Sequence, residues 1–77
     1  MRLTVLSPEK EILSCEVTAV ELPGAKGRFE VLAGHAPLLS PLIEGVIRYK
    51  ADGGEKTIPV EGGFVEVKGD FITVCVG

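Results

Sequence analysis

Tryptophan is absent, and histidine, tyrosine and methionine occur once each. Three Phe and one Tyr make up the aromatics, too few for the stacking platforms that grip sugars. Only two cysteines are present, so one disulfide at most could brace the chain. A cytoplasmic location is the default for such a sequence, and Cys15 and Cys75 then read as reduced, buried, small hydrophobes. If their strands are neighbours, the two thiols could lie close together. No run of about 18 apolar residues occurs, which excludes a transmembrane helix. The opening Met1-Arg2-Leu3-Thr4-Val5-Leu6 stretch is too short for the apolar core of a signal peptide, and Glu9 follows soon after. Cations are not in excess either. Eight Lys+Arg face eleven Asp+Glu, a net charge of −3. The basic residues are scattered and most stand beside an acid, so nucleic acid is not expected as a partner.

What remains is small and apolar. At 77 residues the chain allows a single domain, residues 1–77, with a marginal core. Yet 45% of it is hydrophobic. Either some apolar surface is shared with a partner, or two-sided strands fill a sandwich core well. Ten Gly and five Pro cut the sequence into short runs rich in β-branched and aromatic residues.

Leu3 and Val5 share a face of the first run. Phe29 and Val31 share another, with Leu32 opposite. Ile47 with Tyr49, Ile58 with Val60, and Val65 with Val67 repeat the pattern. Asp52-Gly53 signals a hairpin. Pro59 marks an edge, and Pro41 makes the stretch from Leu38 to Ile43 irregular or an edge. Phe71 to Val76 is apolar on nearly both faces, as in a strand buried on both sides or pressed against a partner. Glu9 to Leu22 is ambiguous. Ser7 could cap a helix with Pro8 at its first position. Alternatively, Leu13, Cys15, Val17 and Ala19 alternate as a strand face, with a one-residue slip before Val20 and Leu22 that a β-bulge would produce. The fold class is all-β, a flattened β-sandwich or barrel of about ten short strands.

Chemistry finds little footing. One His and two distant Cys do not make a metal site. A Cys75–His35 or Cys15–His35 thiol pair lacks an electropositive helix start. Pro23-Gly24-Ala25-Lys26-Gly27-Arg28 is glycine-rich, but it lacks the phosphate-loop pattern and reads as a turn. No catalytic, cofactor-binding or metal-binding residue is assigned, and the chain is not expected to be an enzyme. A free-standing small β-sandwich that binds a ligand is the alternative class.

The order Leu6-Ser7-Pro8-Glu9, Leu22-Pro23-Gly24-Ala25-Lys26-Gly27, Val31-Leu32-Ala33-Gly34-His35-Ala36-Pro37-Leu38-Leu39-Ser40, Gly45-Val46-Ile47-Arg48-Tyr49 and Gly62-Gly63-Phe64-Val65-Glu66-Val67 resembles the F-type ATP synthase epsilon subunit. The resemblance spans the whole chain and is most specific from Gly34 to Leu39. It implies the amino-terminal ten-stranded β-sandwich of that subunit, and it favours strand over helix between Glu9 and Leu22. It also implies a non-catalytic rotor-stalk subunit that joins the gamma subunit to the c ring and supports coupling of proton or sodium flow to ATP synthesis. Gly34, His35, Ala36, Pro37, Leu38, Leu39 and Ser40 would face gamma. Gly24, Ala25, Lys26, Gly27 and Arg28 would face the c ring. Membrane association would be indirect, through the complex at the cytoplasmic face of the cell membrane.

The sequence departs from the resemblance at two points. Arg28 stands where relatives often carry an acid, so either the ring's loop differs or a carboxylate meets Lys26 or Arg28. The sequence also ends at Val76-Gly77, where longer members continue into a helical hairpin. A naturally short subunit is expected, with a fragment of a longer one as the other possibility, and no nucleotide binding is expected without the hairpin.

Overall fold

A computed structural model describes residues 1–77, and every regular element in it is a strand. The nine strands are β1 (Arg2–Leu6), β2 (Glu11–Glu16), β3 (Ala19–Gly24), β4 (Gly27–Leu32), β5 (Leu38–Leu42), β6 (Gly45–Ala51), β7 (Gly54–Val60), β8 (Gly63–Lys68) and β9 (Phe71–Cys75). They stand against the ten or so expected.

The ambiguity after Ser7 resolves as strand, with Ser7 in a different job. Its backbone N–H donates to the Lys10 carbonyl at 2.9 Å, and the Lys10 N–H donates to its hydroxyl at 3.2 Å. The residue that could have capped a helix instead closes the hairpin turn between β1 and β2. The slip in phase is a break between strands rather than a bulge: β2 ends at Glu16 and β3 starts at Ala19. The register shift that does occur lies at Val5/Leu6, where β1 meets β2.

The strands form one sheet in the order β2-β1-β9-β8-β5-β3-β6-β7, with β4 on the other side of β3. One joint is thin. β5 meets β3 at the single pair Gly24↔Leu42. There the sheet folds into two layers, β2-β1-β9-β8-β5 over β4-β3-β6-β7. β1 and β9 pair in parallel, so the first and last strands lie side by side in one layer with Met1 and Gly77 at opposite ends of the pair.

Period-2 patterning sends one face of each strand between the layers. The core joins Leu3 and Val5 (β1), Val20 and Leu22 (β3), Val31 (β4), Ile47 and Tyr49 (β6), Val65 and Val67 (β8) and Ile72 and Val74 (β9), together with Val17, Leu42 and Val60. No polar or charged residue apart from Tyr49 is buried. The alternation read for the pairs above holds in each case, with Phe29 and Ile58 half-buried.

Two expectations narrow and a third gives way. Leu38–Leu42 is a regular strand paired to β8 along its whole length. Pro41 is tolerated because the other side of β5 is nearly free of partners. Next, β9 is buried on one face only: Ile72 and Val74 point inward, while Phe71 and Cys75 are exposed. Finally, the cysteines are not both buried. Cys15 is half-buried and Cys75 exposed, both thiols are free, and β1 lies between their strands. Pro59 sits on β7, a true edge. In the turn Asp52-Gly53, the positive φ falls on Gly53 and not on Asp52.

Candidate protein-contact surface

The Leu22-to-Arg28 segment is a tight hairpin. β3 and β4 pair as far as Gly24↔Gly27, so only Ala25 and Lys26 form the tip. Gly24 is required by close approach. A Cβ there would stand 2.7 Å from the Gly27 carbonyl oxygen and 2.8 Å from Phe29 Cε1. The tip is stitched to β5: the Ala25 N–H donates to the Pro41 carbonyl at 3.1 Å, and the Ile43 N–H to the Pro23 carbonyl at 2.9 Å.

Arg28 does not project from this loop as a free cation. Its Nε and Nη2 donate to Glu21 Oε1 at 3.2 and 3.0 Å, and Nη2 also donates to the Val46 carbonyl at 2.7 Å. Arg48 Nη1 reaches the same Glu21 oxygen at 3.0 Å. The carboxylate sought for Arg28 is therefore within the chain. Lys26, at the exposed tip, is the one cation of the loop outside any ion pair.

The Gly34–Ser40 segment divides. The His35 N–H donates to the Leu32 carbonyl at 3.1 Å, closing a turn after β4. His35 Nδ1 donates to the Ala36 carbonyl at 2.7 Å, since a carbonyl can only accept. Gly34, Ala36 and Pro37 are exposed. Leu38 packs against the core, whereas Leu39 is 71% exposed.

β4 runs away from the hairpin tip and β5 returns towards it. Six residues at about 3.3 Å each separate the two ends of β4 by roughly 17 Å. The Gly34–Pro37 turn thus lies at one end of the β4–β5 frame and the Ala25-Lys26 tip at the other. The structure brings Leu38, Leu39 and Ser40 beside residues 24–28, around a groove of about 440 Å³. It does not bring Gly34–Pro37 there.

Sequence reading missed the outer face of the β2-β1-β9-β8-β5 layer. Register aligns Leu6, Cys75, Phe64 and Pro41 in one row across four strands. Phe64 is 56% and Phe71 62% exposed on this face. The clue was present in the doubly apolar pattern of Phe71 to Val76. The outer face of the other layer is charged, carrying Glu21, Glu30, Arg48, Lys50 and Glu55. The first face thus carries an apolar row among polar positions such as Arg2, Glu66 and Lys68, and the second is charged.

No three His, Cys, Asp or Glu side chains gather as a metal would require. No helix is long and apolar enough to cross a membrane. Two packed β-layers, an apolar row on one outer face and two stiffened loops define a small all-β module. The comparisons place it further: residues 1–77 match the family described as ATP synthase, Delta/Epsilon chain, beta-sandwich domain, and the chain belongs to that family. The ATP synthase epsilon chain of Synechococcus sp. (strain WH7803) is 42% identical over 76 residues, covering 99% of this chain and 56% of that one. That of Caulobacter vibrioides is 38% identical over 74 residues, covering 96% of this chain and 86% of its own length. This chain thus spans little more than half the length of relatives such as the Synechococcus protein. A chain in the Euglena gracilis mitochondrial ATP synthase, solved with OSCP, F1 and the c-ring, superimposes with a TM-score of 0.87 at 27% identity, over 96% of this chain and 48% of that one. A chain of the Tetrahymena thermophila central stalk and c-ring gives 0.79 at 17% identity, which speaks for the fold alone.

Proposed function

We propose that this chain serves as a non-catalytic subunit of the central stalk of an F-type ATP synthase, joining gamma to the c ring so that ion flow is coupled to ATP synthesis. The observation that carries the reading is the division of the surface. The Gly34–Pro37 turn and the Ala25-Lys26 tip stand at opposite ends of the β4–β5 frame, with an apolar row of the sheet beside them. Torque needs a stiff body gripped at two places. Here the grip points are tied to the sheet by backbone hydrogen bonds at Pro41, Pro23 and Leu32.

In this reading Gly34–Pro37 and the outward side of β5 carrying Leu39 meet gamma, while the Ala25-Lys26 tip, across the shared groove from Leu39, approaches the ring. Arg28 braces the hairpin through Glu21 and does not itself reach the ring. The subunit is peripheral and held at the cytoplasmic face of the membrane through its partners.

The test is native mass spectrometry of the gently solubilised membrane fraction, following the 8.1 kDa chain. The reading expects one copy travelling with a large ATPase assembly and leaving together with gamma. Recovery only as a free chain or a small homo-oligomer in the soluble fraction would overturn it.

A further inference from the structure

The two layers are joined on one side, through β5 and β3, and open on the other. At the open side, β2 ends one layer and β7 ends the other. Between them lies a cavity of about 590 Å³, within the range of small-molecule sites. Its walls are Met1, Leu13, Cys15, Val17, Tyr49 and Ala51. The crossover from β2 to β3 closes one wall. There the Val17 N–H donates to the Met1 carbonyl at 2.8 Å and the Thr18 N–H to the Lys50 carbonyl at 2.9 Å.

One polar atom stands out. Tyr49 is 7% exposed, and its ring is part of the core. Its hydroxyl makes no hydrogen bond to any protein group, yet no side-chain oxygen is sealed from solvent without a partner. The hydroxyl is therefore reached by solvent, and Tyr49 is one of the residues lining the cavity. A phenol buried to this degree ordinarily finds a partner. At a hydroxyl that solvent reaches, a ligand oxygen can take the place of water.

The rim shows which ligand would fit. Glu16 is occupied by the Met1 amino group at 3.6 Å and Arg2 at 3.4 Å. Asp52 and Lys56, both exposed, are in no ion pair and carry opposite charges. Counted with Met1 and Arg2, the mouth holds three cations against two carboxylates, and at an open, solvated rim that excess of one charge selects a charged ligand only weakly.

We infer that the open side of the sandwich binds an uncharged small molecule with an apolar body and one hydrogen-bonding oxygen, an alcohol, phenol or carbonyl compound, whose oxygen meets the Tyr49 hydroxyl. None of the residues lining this cavity belongs to the loops or the apolar row assigned to protein contact. The site therefore stands or falls separately from the stalk reading.

The test is a titration of the ¹⁵N-labelled full chain with 4-ethylphenol, and in parallel with ethylbenzene, followed by amide chemical shifts. The expected result is saturable shifts at Leu13, Cys15, Thr18 and Ala51. A net hydrogen bond makes 4-ethylphenol about 2- to 10-fold the tighter ligand. Tyr49→Phe should remove that preference, so that both compounds bind alike. Ala51→Leu, which fills the rim from a half-buried position, should abolish both, and it decides the matter if Tyr49→Phe proves unstable. Shifts that never saturate, or that fall on Phe64 and Phe71 instead, would overturn the site. Preference for 4-ethylphenol surviving in Tyr49→Phe would overturn the role of the hydroxyl. Tighter binding of benzoate or benzylammonium would overturn the uncharged class.

Discussion

Leu38 and Leu39 are adjacent in sequence and opposite in consequence. Both belong to the segment assigned to gamma, and from sequence alone an Asp at either would be expected to weaken docking with little loss of fold. The structure separates them. Leu38 packs on the core opposite Val67, while Leu39 is 71% exposed opposite Glu66. Full burial of a leucine contributes about 1.5–3 kcal/mol, and half of that is at stake for Leu38. An aspartate drawn partly out of water adds a further 1–3 kcal/mol or so. Leu38→Asp should therefore cost about 2–4 kcal/mol of stability. For a domain of this size, 1 kcal/mol corresponds to roughly 4–8 °C in Tm, so a fall of at least about 8 °C is expected.

Leu39→Asp removes no core contact but sets a second carboxylate across from Glu66, a cross-strand repulsion of about 0.2–1 kcal/mol. Leu39→Lys is the cleaner variant. It faces Glu66 with the opposite charge, and its stability should stay within about 0.5 kcal/mol of the parent. If Leu39 is a central anchor for gamma, either substitution costs 2 kcal/mol or more of binding, a loss of about 30-fold or greater. Thermal unfolding by circular dichroism measures the first quantity, and calorimetric titration with isolated gamma measures the second. A folded Leu39→Lys protein with unchanged affinity for gamma would refute the contact. A Leu38→Asp protein that melts with the parent would refute the packing argument.

Gly63 has φ +135°, and a Cβ there would overlap the Cys75 carbonyl. Gly63→Ala should cost about 3 kcal/mol through backbone strain and collision, seen as an early melting transition. Glu21→Gln should lower stability by about 1 kcal/mol, because two exposed guanidinium pairs worth 0.2–1 kcal/mol each are lost. In that background Arg28→Gln should cost less than it does in the parent. Full additivity in denaturant titrations would rule out the brace. Maleimide labelling followed by mass spectrometry should modify the exposed Cys75 before the half-buried Cys15, and the reverse order would contradict the orientation of β9.

The sequence by itself determined the strand content and most inward-facing residues. These are local matters: alternation of apolar residues fixes which face of a strand seeks the core, and Gly and Pro fix where the chain turns. Ser7 shows the limit of local reading. The same hydroxyl can close a helix or a hairpin, and only pairing along β1 and β2 chose. The family string Gly34 to Ser40 was legible, but its division between a turn and a core-packed strand was not. Only the tertiary structure decided that Arg28 belongs to Glu21, seven residues away in sequence but within reach across the β3–β4 pair. Only long-range register set Leu6, Cys75, Phe64 and Pro41 in one row, and only the fold of the sheet at Gly24 left its far side open beneath Tyr49. Those outcomes depend on which strands become neighbours, and spacing along one chain does not encode that directly.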